Sequence, residues 1–173
     1  MQNFVRVPNP YCYRCPYGKE CGSCDYLCAR ELRNTIQYGV SGPVAAVILE
    51  PVQGSGGQIP CPPGYLARVR DICNEFGTLL IFDEMQTGFG RCGTMFAMDH
   101  FGVVPDIFTI GKAMGNGFPI AGTVINKKLK GFQDGTDDNF TFCNNPMAQA
   151  AALKTIEIML RDKVPENARA MGE

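Results

Sequence analysis

A chain of 173 residues, 45% hydrophobic and 19% charged, can bury a core of ordinary size and reads as one soluble globular domain. Its net charge of -1 offers no clustered cations with which to grip nucleic acid or an anionic membrane surface, so neither partner is expected. No apolar run approaches the roughly 18 residues that span a bilayer, and the opening MQNFVRVPNPYCYRC has no signal-peptide core. The cytoplasm is the expected address.

Residues 1–24 are rich in Pro, Cys, Tyr and Gly without helical or strand periodicity, and read as an irregular segment. The nine cysteines are odd in number and carry no export signal, which predicts reduced thiols rather than a disulfide scaffold. Cys12 and Cys15, Cys21 and Cys24, with Cys28 after them, have the pairing of a metal site. Such knuckles usually enclose an insert of about 15 to 20 residues, whereas five residues separate these. Free thiols are the expectation, so no metal is assigned, and a zinc or iron–sulfur module is the alternative.

Order is expected from Asp25, placed as an N-cap, with Cys28, Leu32 and Ile36 at helical spacing and Gly39 at the stop. The apolar runs Val44–Leu49 and Thr78–Phe82 read as buried strands of a parallel sheet. Between them Leu66, Val69, Ile72, Cys73 and Phe76 form a helical stripe closed by Gly77, completing a βαβ unit. Asp106–Ile110 and Gly122–Ile125 are weaker strand candidates. Pro146–Arg161 is a long helix with Asn145 as its cap. The class is α/β, a mostly parallel sheet with flanking helices. The final ENARAMGE reads as helix without a closing cap, as if the chain were cut there.

In an open parallel sheet, ligands bind beyond the carboxyl ends of the strands. The residues to examine are therefore Glu50, Asp83 with Glu84, and Gly111 with Lys112. Successive side chains of a strand point to opposite faces, so only one of Asp83 and Glu84 can face a given site. Four apolar residues before Asp-Glu also suit a P-loop ATPase, but that needs G-x-x-x-x-G-K-[ST]. The Gly18-Lys19 and Gly111-Lys112 pairs are followed by Glu20 and Ala113, which excludes it. Gly88 to Gly93 spells G-x-G-x-x-G without the flanking strand and helix of a dinucleotide site, and reads as a tight loop shaping a pocket. The sole histidine, His100, lies beside Phe101 and reads as structural.

Lys112 stands among four glycines and a proline within twelve residues, a tightly folded turn at the end of an apolar strand. Partial desolvation there would lower its pKa and free the amine as a nucleophile. A lysine nucleophile and a strand-end aspartate converging on one pocket suit pyridoxal 5'-phosphate (PLP): the lysine forms the imine and the carboxylate keeps the pyridine nitrogen protonated.

Taken together, VAAVILEPVQGSGG, LLIFDEMQTGFGRCG, PDIFTIGKAMGNGFPIAG and FTFCNNPMAQAAA resemble, in order and spacing, the signature of class III, or ω-amino-acid, PLP-dependent aminotransferases. The opening resembles a cysteine-bearing segment found in some members that use ω-amino acids. The resemblance implies that Lys112 is the Schiff-base lysine and that Asp83 pairs with the pyridine nitrogen. Gln86 would lie near the cofactor's phenolic oxygen. Thr141 would reach the phosphate of the neighbouring subunit's cofactor, which makes a homodimer the working unit. Glu50 would be a substrate gate, conditional on a mobile arginine from beyond Glu173. Cys143 and Asn144 stand where glycine is common, and Cys92 where threonine is, changes expected to adjust loop packing only.

The implied reaction moves an amino group from an ω-amino acid or amine to a 2-oxo acid. Decarboxylation, racemisation, aminomutase and lyase chemistry are alternatives within the family. Members are more than twice this length, so residues 25–173 are expected to be part of the large domain of a fold-type I transferase. The phosphate loop and the C-terminal domain would be missing, and the fragment alone inactive.

Overall fold

The computed structural model describes residues 4–131 and 143–173. Among these, strands β1 (Ala46–Leu49), β4 (Leu79–Asp83), β5 (Ile107–Ile110) and β6 (Gly122–Ile125) form one sheet in the order β1-β4-β5-β6. The first three are parallel and β6 returns antiparallel to β5. A small hairpin, β2 (Val52–Gln53) with β3 (Ile59–Pro60), leaves the end of β1. Helices α1 (Leu27–Tyr38), α2 (Tyr65–Phe76), α3 (Met98–Phe101), α4 (Pro146–Arg161) and α5 (Val164–Gly172), with short 3-10 turns at Cys12–Arg14 and Lys112–Gly115, complete the described elements.

β1, α2 and β4 form the predicted βαβ unit. Leu66, Val69, Ile72 and Cys73 of α2 pack with Leu80 and Phe82 of β4, both 0% exposed, and with Ala29 and Leu32 of α1. Burial alternates along β4, where Leu79, Ile81 and Asp83 are half-buried, and Ile48 of β1 is 56% exposed. The apolar runs are therefore covered on one face by the described residues, whereas burial on both was expected. A second cluster joins Phe89 and Met114 to Ala152 and Met159 of α4.

Helix ends follow local chemistry in two cases. Gly77 closes α2 in the left-handed region, at φ 65°. Asn145 opens α4, its side chain accepting from the amides of Met147 at 3.0 Å and Ala148 at 3.3 Å, with Pro146 in the first turn. Asp25 does not cap α1. Asp25 and Tyr26 are both left-handed and the helix begins at Leu27, because the Tyr26 hydroxyl is drawn to the Pro63 carbonyl at 2.8 Å. The final helical stretch is a separate element: Lys163 is left-handed, and Pro165 opens α5 where it could not continue α4.

Asp106, at the entrance to β5, locks the register. Its Oδ2 accepts from the Leu80 amide at 2.8 Å and from Arg70 Nη1 of α2 at 2.6 Å.

Candidate active site

The pairing of Leu49 with Phe82 and of Asp83 with Thr109 brings the carboxyl ends of β1, β4 and β5 to one edge. Glu50, Asp83 and Gly111 with Lys112 are the residues that leave that edge. The alternation separates the two acids as expected. Asp83 ends β4 half-buried, and its Oδ1 accepts from the Met85 amide at 2.9 Å and from the Thr109 hydroxyl at 3.2 Å, leaving Oδ2 without a hydrogen bond among the described residues. Glu84 is 0% exposed on the other side, where it accepts from the Ala97 amide at 3.0 Å, the Met98 amide at 2.7 Å and the Thr87 hydroxyl. Glu84 thus holds the first turn of α3 and the loop after β4.

Lys112 sits in a short 3-10 turn, Lys112–Gly115, and is itself left-handed at φ 47°, an unfavourable region for a residue with a Cβ. The turn lies close against the sheet end because Gly111 has no side chain: a Cβ there would lie 2.5 Å from Met85 Cε. Lys112 Nζ donates to Gln86 Oε1 at 3.2 Å. The Gln86 amide lies over Gly54, whose amide in turn donates to Glu50 Oε2 at 2.9 Å. Glu50, Gln86 and Lys112 therefore belong to one connected set, and Asp83 stands beside it through Thr109.

One expectation is corrected: Lys112 is exposed rather than partly desolvated, and among the described residues its hydrogen-bond partner is Gln86. Asp83, Gln86 and Lys112 line neither the cavity at residues 9–28 nor the groove between Phe118 and α4. Thr141 lies outside the described residues.

The glycines of the G-x-G-x-x-G string serve packing. Gly90 and Gly93 are left-handed and receive α4 and α5; a Cβ on Gly93 would lie 3.0 Å from Arg169 Cβ. His100 of α3 meets the same loop, its Nε2 2.6 Å from the Cys92 carbonyl.

Cys12, Cys15, Cys21, Cys24 and Cys28 line a cavity of about 430 Å³, together with Tyr11. These five, with Cys61, Cys73 and Cys92, are free thiols. Burial, and then the neighbouring Cys21 thiol, push Cys12 up to about 11. Among the described residues no three Cys, His, Asp or Glu side chains are grouped to hold a metal ion.

Sequence reading missed Thr109 and Gly54. Thr109 carried a signal, being the polar member of the apolar strand IFTI. Gly54 carried none that set it apart from Gly56 and Gly57.

The same sheet arrangement, mostly parallel with flanking helices, is found in known proteins. The family described as Aminotransferase class-III matches residues 1–173, and the chain belongs to it. Among curated relatives, the acetylornithine aminotransferase of Methanothermobacter thermautotrophicus is 49% identical over 77% of the chain and 34% of its own length. The leucine/methionine racemase of Thermococcus litoralis is 40% identical over 96% of the chain and 38% of its own length. Of solved structures, an amine transaminase from an uncultivated Pseudomonas species, in the PLP-bound form, superposes with a TM-score of 0.88 at 35% identity, covering 96% of the chain and 39% of that protein. The chain thus spans little more than a third of the length of the relatives it matches.

Proposed function

We propose that this chain is the middle of the large domain of a longer, PLP-dependent enzyme that moves an amino group from an amino donor, an ω-amino acid or amine, to a 2-oxo acid. One observation carries the reading: Lys112 Nζ meets Gln86 at the end of β5 while Asp83, fixed by Thr109, ends the adjacent β4.

The residues fit the cofactor. Asp83 keeps Oδ2 open, the acceptor that a protonated pyridine nitrogen requires, and Lys112 offers an exposed amine held by one neutral partner. PLP, when bound, supplies an electron sink for the charge that develops at the substrate carbon. Lys112 takes the proton leaving that carbon and delivers it to the next, as a general base and then acid. The Asp83 carboxylate, aimed by the Met85 amide and the Thr109 hydroxyl, holds the proton on the ring nitrogen. Gln86 orients the Lys112 amine. Glu50 acts as a substrate gate where an arginine from outside this chain can pair with it. The working unit is a cytoplasmic homodimer.

The test is an absorbance scan of the complete enzyme, with and without borohydride, beside Lys112→Ala. A band near roughly 410–430 nm, the signature of a lysine nucleophile joined to the cofactor, should be abolished by borohydride, which leaves the cofactor covalently attached, and should be absent from the variant. A band unchanged in the variant would leave Lys112 with a structural role only.

The racemase relative favours one second reading, racemisation by the same residues. Incubating a single enantiomer of an amino acid in heavy water without any oxo acid separates the two. Formation of the labelled opposite enantiomer with the amino group retained would replace transamination.

A further inference from the structure

Gly54 follows β2 and is buried. Both of its backbone polar groups are engaged. Its amide donates to Glu50 Oε2 at 2.9 Å, and its carbonyl accepts from the amides of Gly57 at 3.1 Å and Gln58 at 3.0 Å. The residue is fixed from both sides and cannot yield to a neighbour.

Its φ lies outside the left-handed region that Gly57 occupies at 124°, so the backbone would accept an L side chain. What one would meet, and must move, is the end of the Gln86 side chain. A Cβ on Gly54 would lie 2.5 Å from Gln86 Cδ and 2.7 Å from Gln86 Nε2, well inside contact distance. The amide so seated is the one whose Oε1 accepts from Lys112 Nζ at 3.2 Å.

We propose that Gly54 is a positioning residue for Lys112: it provides the seat for the Gln86 amide and anchors that seat to Glu50 through its own N–H. The functional meaning rests on the reading of Lys112 given above, but the mechanical claim does not. A methyl group at Gly54 displaces Gln86, and Lys112 loses its acceptor. Because the seat and Glu50 share one backbone unit, the gate-side carboxylate and the partner of the lysine are set together.

The experiment is a double-mutant cycle on the complete, cofactor-free protein. Trace acetylation with acetic anhydride is read by mass spectrometry, with exposed Lys127 as internal reference. Gln86→Ala should raise Lys112 labelling roughly two- to tenfold, the equivalent of one ordinary hydrogen bond. Gly54→Ala should raise it comparably, and should add nothing in the Gln86→Ala background. Unchanged labelling in Gly54→Ala, or an equal gain in both backgrounds, overturns the proposal. If Gly54→Ala does not fold but Gly54→Ala/Gln86→Ala does, the clash with Gln86 is the cause and the proposal stands. If neither folds, Gly54 serves the hairpin alone and the proposal falls. Absence of a borohydride-sensitive imine band in the holoprotein would end the cofactor reading while leaving these labelling ratios interpretable.

Discussion

Two regions of this molecule concentrate chemistry-bearing side chains, and they do so differently. The N-terminal segment gathers five thiols around a cavity of about 430 Å³, yet no three ligand-type groups among the described residues are set to hold a metal. The strand-end edge has no comparable enclosure, yet Asp83 is tied to Thr109 and Met85, and Lys112 to Gln86, by hydrogen bonds between elements. Volume and composition mark the first region, topology and interlocked geometry the second. Enclosure can be supplied by other parts of a longer protein, but orientation has to be built where the residues stand, which makes the second region the candidate site.

The largest effect expected is at Lys112. Lys112→Ala in the complete enzyme should reduce turnover by about a hundredfold to ten-thousandfold, the range of positioned proton transfer, whereas Cys21→Ser should leave steady-state kcat within about twofold. A loss at Cys21 approaching that at Lys112 would break the distinction between the regions. Next is the strut that keeps the strand ends level. Although partial burial pushes the Asp106 carboxyl up, the Leu80 amide and the Arg70 guanidinium hold it below the usual carboxylate range. A depressed folded-state pKa gives stability that is complete above the unfolded value of about 3.9 and is lost as pH falls through the lower folded value. Asp106→Asn should therefore cost about 1.5–3 kcal/mol at pH 7 by denaturant melts. The gap from the parent should close below about pH 4. A gap that is constant with pH would mean that packing, not charge, holds the register.

A smaller effect is expected at the cap of α4, the helix that covers Met114 just beyond Lys112. Asn145→Ala should cost about 0.5–2 kcal/mol, with Asn145→Asp recovering most of it. Failure of the aspartate to recover would indicate that Asn145 acts through something other than the Met147 and Ala148 amides.

What was legible in the sequence follows the range of the interactions. α2 and α4 were readable because their stripes, Gly77 and the Asn145-Pro146 pair are local signals. The start of α1 was not, because a contact from Tyr26 to Pro63, 37 residues away, overrides the capping preference of Asp25. The strand-end residues Glu50, Asp83 and Lys112 were legible as strand ends, and their grouping follows from the parallel register. The exposure of Lys112 was not, since burial depends on whatever surrounds a turn and not on the turn itself. Gly54 stayed hidden because the glycines of GSGG look alike until Gln86 is seen to lie on one of them.

The smallest effect sharpens the comparison from the thiol side. Burial is the main cause of the raised Cys12 pKa and Cys21 the next. Replacing exposed Cys21 by alanine removes the second cause and keeps the first. Cys12 should remain a poor nucleophile but gain thiolate at a given pH, so its alkylation by iodoacetamide at about pH 9 should quicken by roughly two- to fivefold. Stability should change by no more than about 0.5 kcal/mol. A slower reaction of Cys12 would mean that Cys21 holds the cavity open and not merely that it repels a neighbouring charge. The thiols would then form a cooperative unit, and the N-terminal segment would acquire the interlocked character that here distinguishes the strand ends.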